Sequence, residues 1–148
     1  MYSLNRLTTL ESFIVDNNGY NPMRWDCQAQ GCFNKKKRPK IEMFADCLPG
    51  KIAFGDIDGI VEIRGNFLFL EFKEHSNIPK GQQILYRRLT RLAPAIVLVI
   101  EADVETMDVL AVSYVSGGRI EPQVLMNLQG LKDVIKSWSD WALKNPAI

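Results

Sequence analysis

Asp58, Glu71 and Lys73 are spaced so that two acidic groups and an amine fall on one β-hairpin, and Gln82 and Tyr86 follow on the next helix. Two carboxylates can share a divalent cation. A lysine beside them can orient or deprotonate a water, or steady the charge that builds on a phosphate. Together these groups supply what metal-assisted phosphodiester cleavage needs. The ion that suits two carboxylates is magnesium-sized: it prefers octahedral oxygen ligation, keeps several waters, and takes one or two carboxylates from the protein.

The hairpin must position these groups. Gly55-Asp56-Ile57-Asp58-Gly59-Ile60 opens one apolar-rich run, Leu70-Glu71-Phe72-Lys73 closes the next, and Gly65-Asn66 between them reads as a two-residue turn. That turn pairs Arg64 with Phe67, Ile60 with Glu71 and Asp58 with Lys73. Opposed residues share a face. One face then carries Asp58, Ile60, Glu62, Arg64, Phe67, Phe69, Glu71 and Lys73; the other, read as the core face, carries Val61, Ile63, Leu68, Leu70 and Phe72. In this register Asp58 and Glu71 are diagonal neighbours with backbones about 7–8 Å apart, which one cation can bridge. Asp56 shares the parity of Asp58 and reads first as a strand-entry residue beside Gly55, with a second ligand as the alternative. Glu-x-Lys alone is also a common solvated charge pattern on a hairpin, so the reading rests on the motifs occurring together.

The combination resembles the PD-(D/E)XK nuclease superfamily, with its restriction-endonuclease-like fold, and the order of motifs is most similar to the RecB-type exonuclease branch. The Gly-x-h-Asp-x-h segment of that branch is matched at Asp58, Glu-x-Lys at Glu71 and Lys73, and Gln-x-x-x-Tyr at Gln82 and Tyr86, over about residues 39–101. The resemblance implies a deoxyribonuclease that hydrolyses phosphodiesters with Mg2+ or Mn2+. It implies Asp58 and Glu71 as ligands, Lys73 as the group assisting the water, and Gln82 and Tyr86 turned toward the site. An acidic residue on the first core helix completes some sites of the family; Glu42 is the candidate, and Glu11 the weaker one. Some relatives hold an iron–sulfur cluster on four cysteines. This chain has three, so no cluster is implied.

Around this segment the sequence predicts an α/β domain, a central mixed β-sheet flanked by helices. A helix is predicted over about residues 4–16, then a basic, cysteine-bearing insert at about 23–40. A short helix on the stripe Ile41, Phe44, Ala45 and Leu48 stops at Pro49-Gly50. Strands follow over about 52–63 and 67–73, and a helix starts after Pro79 with Leu85, Leu89 and Leu92 as its packing stripe. Ala95 to Ile100 is an unbroken apolar run, as in a strand buried on both faces. A strand over about 109–115, a turn at Gly117-Gly118 and a last helix packing through Leu131, Val134, Ile135, Trp138, Trp141 and Ala142 complete the order. With 148 residues and 47% hydrophobic composition, residues 1–148 are expected to form a single domain.

The formal net charge of +1 does not by itself mark a nucleic-acid binder. Its distribution says more. Lys35, Lys36, Lys37, Arg38 and Lys40 form a dense basic run, and Arg87 and Arg91 follow Gln82 on its helix; these groups either hold phosphates or decorate a solvated loop and helix face. Cys27, Cys32, Cys47 and His75 read first as free cysteines and a loop histidine, with a structural zinc as the alternative. No stretch of about 18 apolar residues occurs, and Met1 to Arg6 lacks the apolar segment of a secretory signal, so a soluble, cytoplasmic protein without a membrane partner is expected. DNA is the expected partner. Processive action would call for a homo-oligomeric ring or a replication or recombination partner. The competing functions are a non-catalytic nucleic-acid-binding module built on the basic run, with or without zinc, and a phage-type interaction protein that reuses a nuclease fold.

Overall fold

A computed structural model describes residues 41–75 and 77–148. The predicted N-terminal helix, Glu11, Cys27, Cys32 and the basic run from Lys35 to Lys40 lie outside the described residues. The chain divides between Phe54 and Gly55. On the N-terminal side, Ile41–Cys47 is a 3-10 helix in place of the predicted α-helix. Seven residues closed off by Pro49-Gly50 are too few to repay α-helix nucleation, and the tighter 3-10 turn is common in such short pieces. Phe44, exposed, meets Phe54 edge to face with ring centroids 6.4 Å apart.

The C-terminal side is α/β, with a six-stranded mixed sheet between two helices. Its strands are β1 (Gly59–Ile63), β2 (Asn66–Lys73), β3 (Ala95–Asp103), β4 (Asp108–Ser116), β5 (Arg119–Ile120) and β6 (Val124–Leu125). Helix α1 (Lys80–Leu92) joins β2 to β3, and α2 (Leu128–Lys144) ends the fold. The sheet runs β1-β2-β3-β4-β5, with β6 also on β4. Only β2 and β3 are parallel, as a helical crossover between neighbouring strands requires.

The first predicted strand is shortened. Residues 52–57 form no strand and are exposed, so the parity argument that put Asp56 beside Asp58 lapses. The hairpin register also differs: Ile63 pairs with Asn66, Ile60 with Phe69 and Gly59 with Leu70. The turn is therefore Arg64-Gly65, one residue earlier than Gly65-Asn66, with φ of 52° and 85° at its two residues, as a type I′ turn demands. Asn66 is excluded from the turn by its own burial. Its Nδ2 donates to the carbonyls of Asn145 (2.8 Å) and Ile63 (3.4 Å). Because the pairing shifts by two residues, every side chain keeps the face the sequence assigned to it.

Both faces of the central strands are core, as the apolar run of β3 predicts, whereas the hairpin reading gives β2 a single core face. Leu68, Leu98, Ile100 and Val112 pack under Leu131, Trp138 and Ala142 of α2, with Leu70 and Phe72 at the margin. On the other face Val97, Val99 and Val115 pack under Tyr86 of α1, with Phe69, Ile78 and Leu89 around them. This second cluster corrects the predicted α1 stripe: Leu85 and Leu92 are exposed, and the helix turns Tyr86, Leu89 and Thr90 inward. Thr90 fixes that rotation, its Oγ1 donating to the Tyr86 carbonyl at 2.8 Å and accepting from Gly118 N at 3.1 Å. Trp141 is likewise half-exposed while the rest of the α2 stripe packs. At its start α2 is capped by Asn127, whose Oδ1 accepts from Gly130 N at 2.9 Å.

Candidate active site

β2 delivers Glu71 and Lys73 to one face because alternate strand residues share a face. The Lys73 ammonium lies 3.5 Å from Glu71 Oε1, and both side chains are largely shielded from solvent. Asp58 occupies the bend just before β1. Continued by one residue, the observed register brings it level with Glu71, not diagonal to it as the sequence implied. Its Oδ2 accepts a 2.8 Å hydrogen bond from the Phe72 backbone N–H, which fixes one carboxylate oxygen against β2.

Tyr86 approaches the same place from α1, near enough to Glu71 for the two groups to perturb each other's proton affinity. Burial, with the nearby Asp58 charge added, holds the Glu71 carboxyl above the usual carboxylate range, and the Lys73 ammonium offsets this only in part. Burial and the negative field of Glu71 push the Tyr86 phenol up, so it stays a protonated donor. Two acidic groups thus crowd one site whose local charge a cation would balance.

Gln82 stands one helical turn before Tyr86 and on its side of α1. Its Oε1 is buried without a hydrogen-bond partner, whereas neighbouring Gln83 donates to the Ile78 carbonyl at 2.8 Å. Arg87 and Arg91 are exposed. Arg91 lies nine residues beyond Gln82, roughly 13 Å along the helix, and packs by the Gly117-Gly118 turn, so the fold does not bring it to the carboxylates. Glu42 belongs to the 3-10 helix on the other side of the division at Phe54. His75 is exposed on the bend after β2 and Cys47 is an exposed free thiol.

Sequence reasoning missed Glu101. It is the register partner of Lys73 across the parallel pair, on the same face, and accepts from Gln123 Nε2 at 2.6 Å. The signal was present: Glu101 is the first charge after the apolar run Ala95 to Ile100. Only the parallel register places it beside Lys73.

Among the described residues, no three His, Cys, Asp or Glu side chains gather as a metal-holding group. The site offers two carboxylates, within what a magnesium-sized ion takes from protein. A cavity of about 200 Å3 lies at the other end of the sheet, between Asn66, Thr90, Pro94, Trp138 and Trp141, and is not lined by Asp58, Glu71, Lys73, Gln82 or Tyr86. No described helix is long and apolar enough to cross a membrane. Comparison with known proteins finds no matching family model, curated protein or solved structure.

Proposed function

We propose that this chain is a metal-dependent nuclease of the PD-(D/E)XK type, hydrolysing phosphodiester bonds of DNA. The observation that carries the reading is the meeting of Asp58, Glu71, Lys73 and Tyr86 from three separate elements, with Glu71 both shielded from water and raised by a second carboxylate. An ordinary solvated Glu-x-Lys pair has neither property. The order of hairpin, crossover helix and parallel strand is consistent with a restriction-endonuclease-like core.

The donor set fits a hard divalent cation: carboxylate oxygens, with a mutual repulsion that a cation relieves. Asp58 and Glu71 would hold it, and when bound it would polarise the phosphate and acidify a water. The chain's own residues supply the rest. Asp58 is fixed by the Phe72 N–H, so its position costs little to organise on binding. Tyr86, protonated and close to Glu71, favours the charged form of that carboxylate, whose charge is otherwise only partly balanced. Lys73 sits where it can hold or move a proton of the attacking water or stabilise charge on a phosphate oxygen. Gln82 brings a buried, unsatisfied acceptor to the same side of α1, ready for a donor from water or substrate.

The test is incubation with end-labelled linear and with circular DNA, single- and double-stranded, under Mg2+, Mn2+ or chelator. Cleavage that needs the metal and disappears in Glu71→Gln is the expected result. Intact substrates under every condition would sink the reading in favour of a binding module.

A further inference from the structure

We propose that Glu101 is a positioning residue for Lys73, the carboxylate that receives the lysine ammonium once Glu71 is committed to a cation; this rests on the nuclease reading above. Lys73 and Glu101 are register partners on β2 and β3, one strand spacing of about 4.8 Å apart, with side chains on the same face. The pair two positions before them, Glu71 and Val99, sets Glu71 on that face too. Lys73 thus has Glu71 on its own strand and Glu101 level with it on β3, while Asp58 and Tyr86 gather at Glu71.

In this structure the ammonium lies against Glu71. A divalent ion on Glu71 would place two positive charges within a few ångströms of it, and the flexible lysine stem allows it to retreat. Asp58 is taken by the same ion, and Tyr86 offers no charge. Glu101 is the remaining anion. It is also prepared: Gln123 Nε2 donates to its carboxylate at 2.6 Å. An amide steers a carboxylate without neutralising it, so the charge stays available to Lys73.

Two measurements test this. In the parent protein crystallised with Mn2+, located by its anomalous signal, Lys73 Nζ should leave Glu71 and come within salt-bridge distance of Glu101. In steady-state cleavage, Glu101→Gln should lower kcat by about 10- to 100-fold, the usual cost of losing a residue that orients another, with KM for DNA and the Mg2+ midpoint unchanged. Glu101→Asp, which keeps the charge and guards against a folding defect, should recover most of the rate. Parent-like kcat in Glu101→Gln, or Lys73 still on Glu71 beside bound Mn2+, overturns the proposal. If the parent protein cleaves no DNA, the nuclease reading falls and the Mn2+ structure decides the Lys73 movement alone. Absence of Mn2+ from Asp58 and Glu71 ends both.

Discussion

Glu71 carries an energetic cost that its neighbours do not cancel. Its carboxyl sits above the ordinary value of 4.5, so the folded chain binds that proton more tightly than the unfolded chain. The stability this contributes is complete below pH 4.5 and is lost as pH rises through the folded value. Glu71→Gln should therefore melt above the parent at pH 7 without metal, with the gap closing below about pH 4.5; equal melting curves across that range would contradict the burial argument. Magnesium should reverse the order by raising the parent's Tm alone, since a ligand that binds only the native state stabilises it. Lys73→Ala separates the roles further. It removes a positive neighbour and no ligand, so calorimetry should show Mg2+ still binding while cleavage falls by a factor on the order of 100. Parent-like cleavage in Lys73→Ala would remove Lys73 from the reaction.

At the scale of elements, the hairpin shows what a local reading can and cannot find. The division of residues between the two faces was legible, because faces depend on parity alone and Arg64-Gly65 and Gly65-Asn66 give the same parity. The turn itself was not legible, because Asn66 is claimed by Asn145, 79 residues away. Helix α1 was placed correctly but rotated wrongly: three leucines outvoted one tyrosine, while the bulk that fits against Val97, Val99 and Val115 belongs to Tyr86. Two-residue strands β5 and β6 have no period to read. Gly65 is confined twice, by its φ of 85° and by Ile148, whose Cγ1 would lie 2.8 Å from an added Cβ. Gly65→Ala should cost about 1–3 kcal/mol in chemical denaturation, with m unchanged. A loss below half a kilocalorie would mean that the C-terminal residues yield freely.

Across the whole molecule, charge is arranged along α1, where Lys80, Arg87, Arg88 and Arg91 occur with no acidic residue. Arg87 and Arg91 are exposed, and in the proposed reading they would grip backbone phosphates beyond the scissile one. Replacing both by glutamine should reduce the slope of log K against log salt by about 1.5–2 on double-stranded DNA, leaving single-turnover cleavage at saturating DNA unchanged. An unaltered slope would put the substrate elsewhere. The α/β class was legible from the alternation of periods, but the Lys73 and Glu101 juxtaposition depends on a crossover that no window of sequence contains.

Residues 143–148 have a further meaning. Arg64 O accepts from Ala147 N at 2.8 Å and from Ile148 N at 3.3 Å, Asn145 O accepts from Asn66, and Leu143 O accepts from the Arg64 guanidinium at 2.8 Å. The tip of the hairpin that carries Asp58, Glu71 and Lys73 is thus fastened by residues translated about eighty positions later. Domains form progressively during synthesis, yet on the ribosome this hairpin lacks its fastening until residues 143–148 have cleared the exit tunnel. The hairpin tip, at the opposite end of β1 and β2 from the carboxylates, is accordingly the part of the sheet whose contacts are completed late in the order of synthesis.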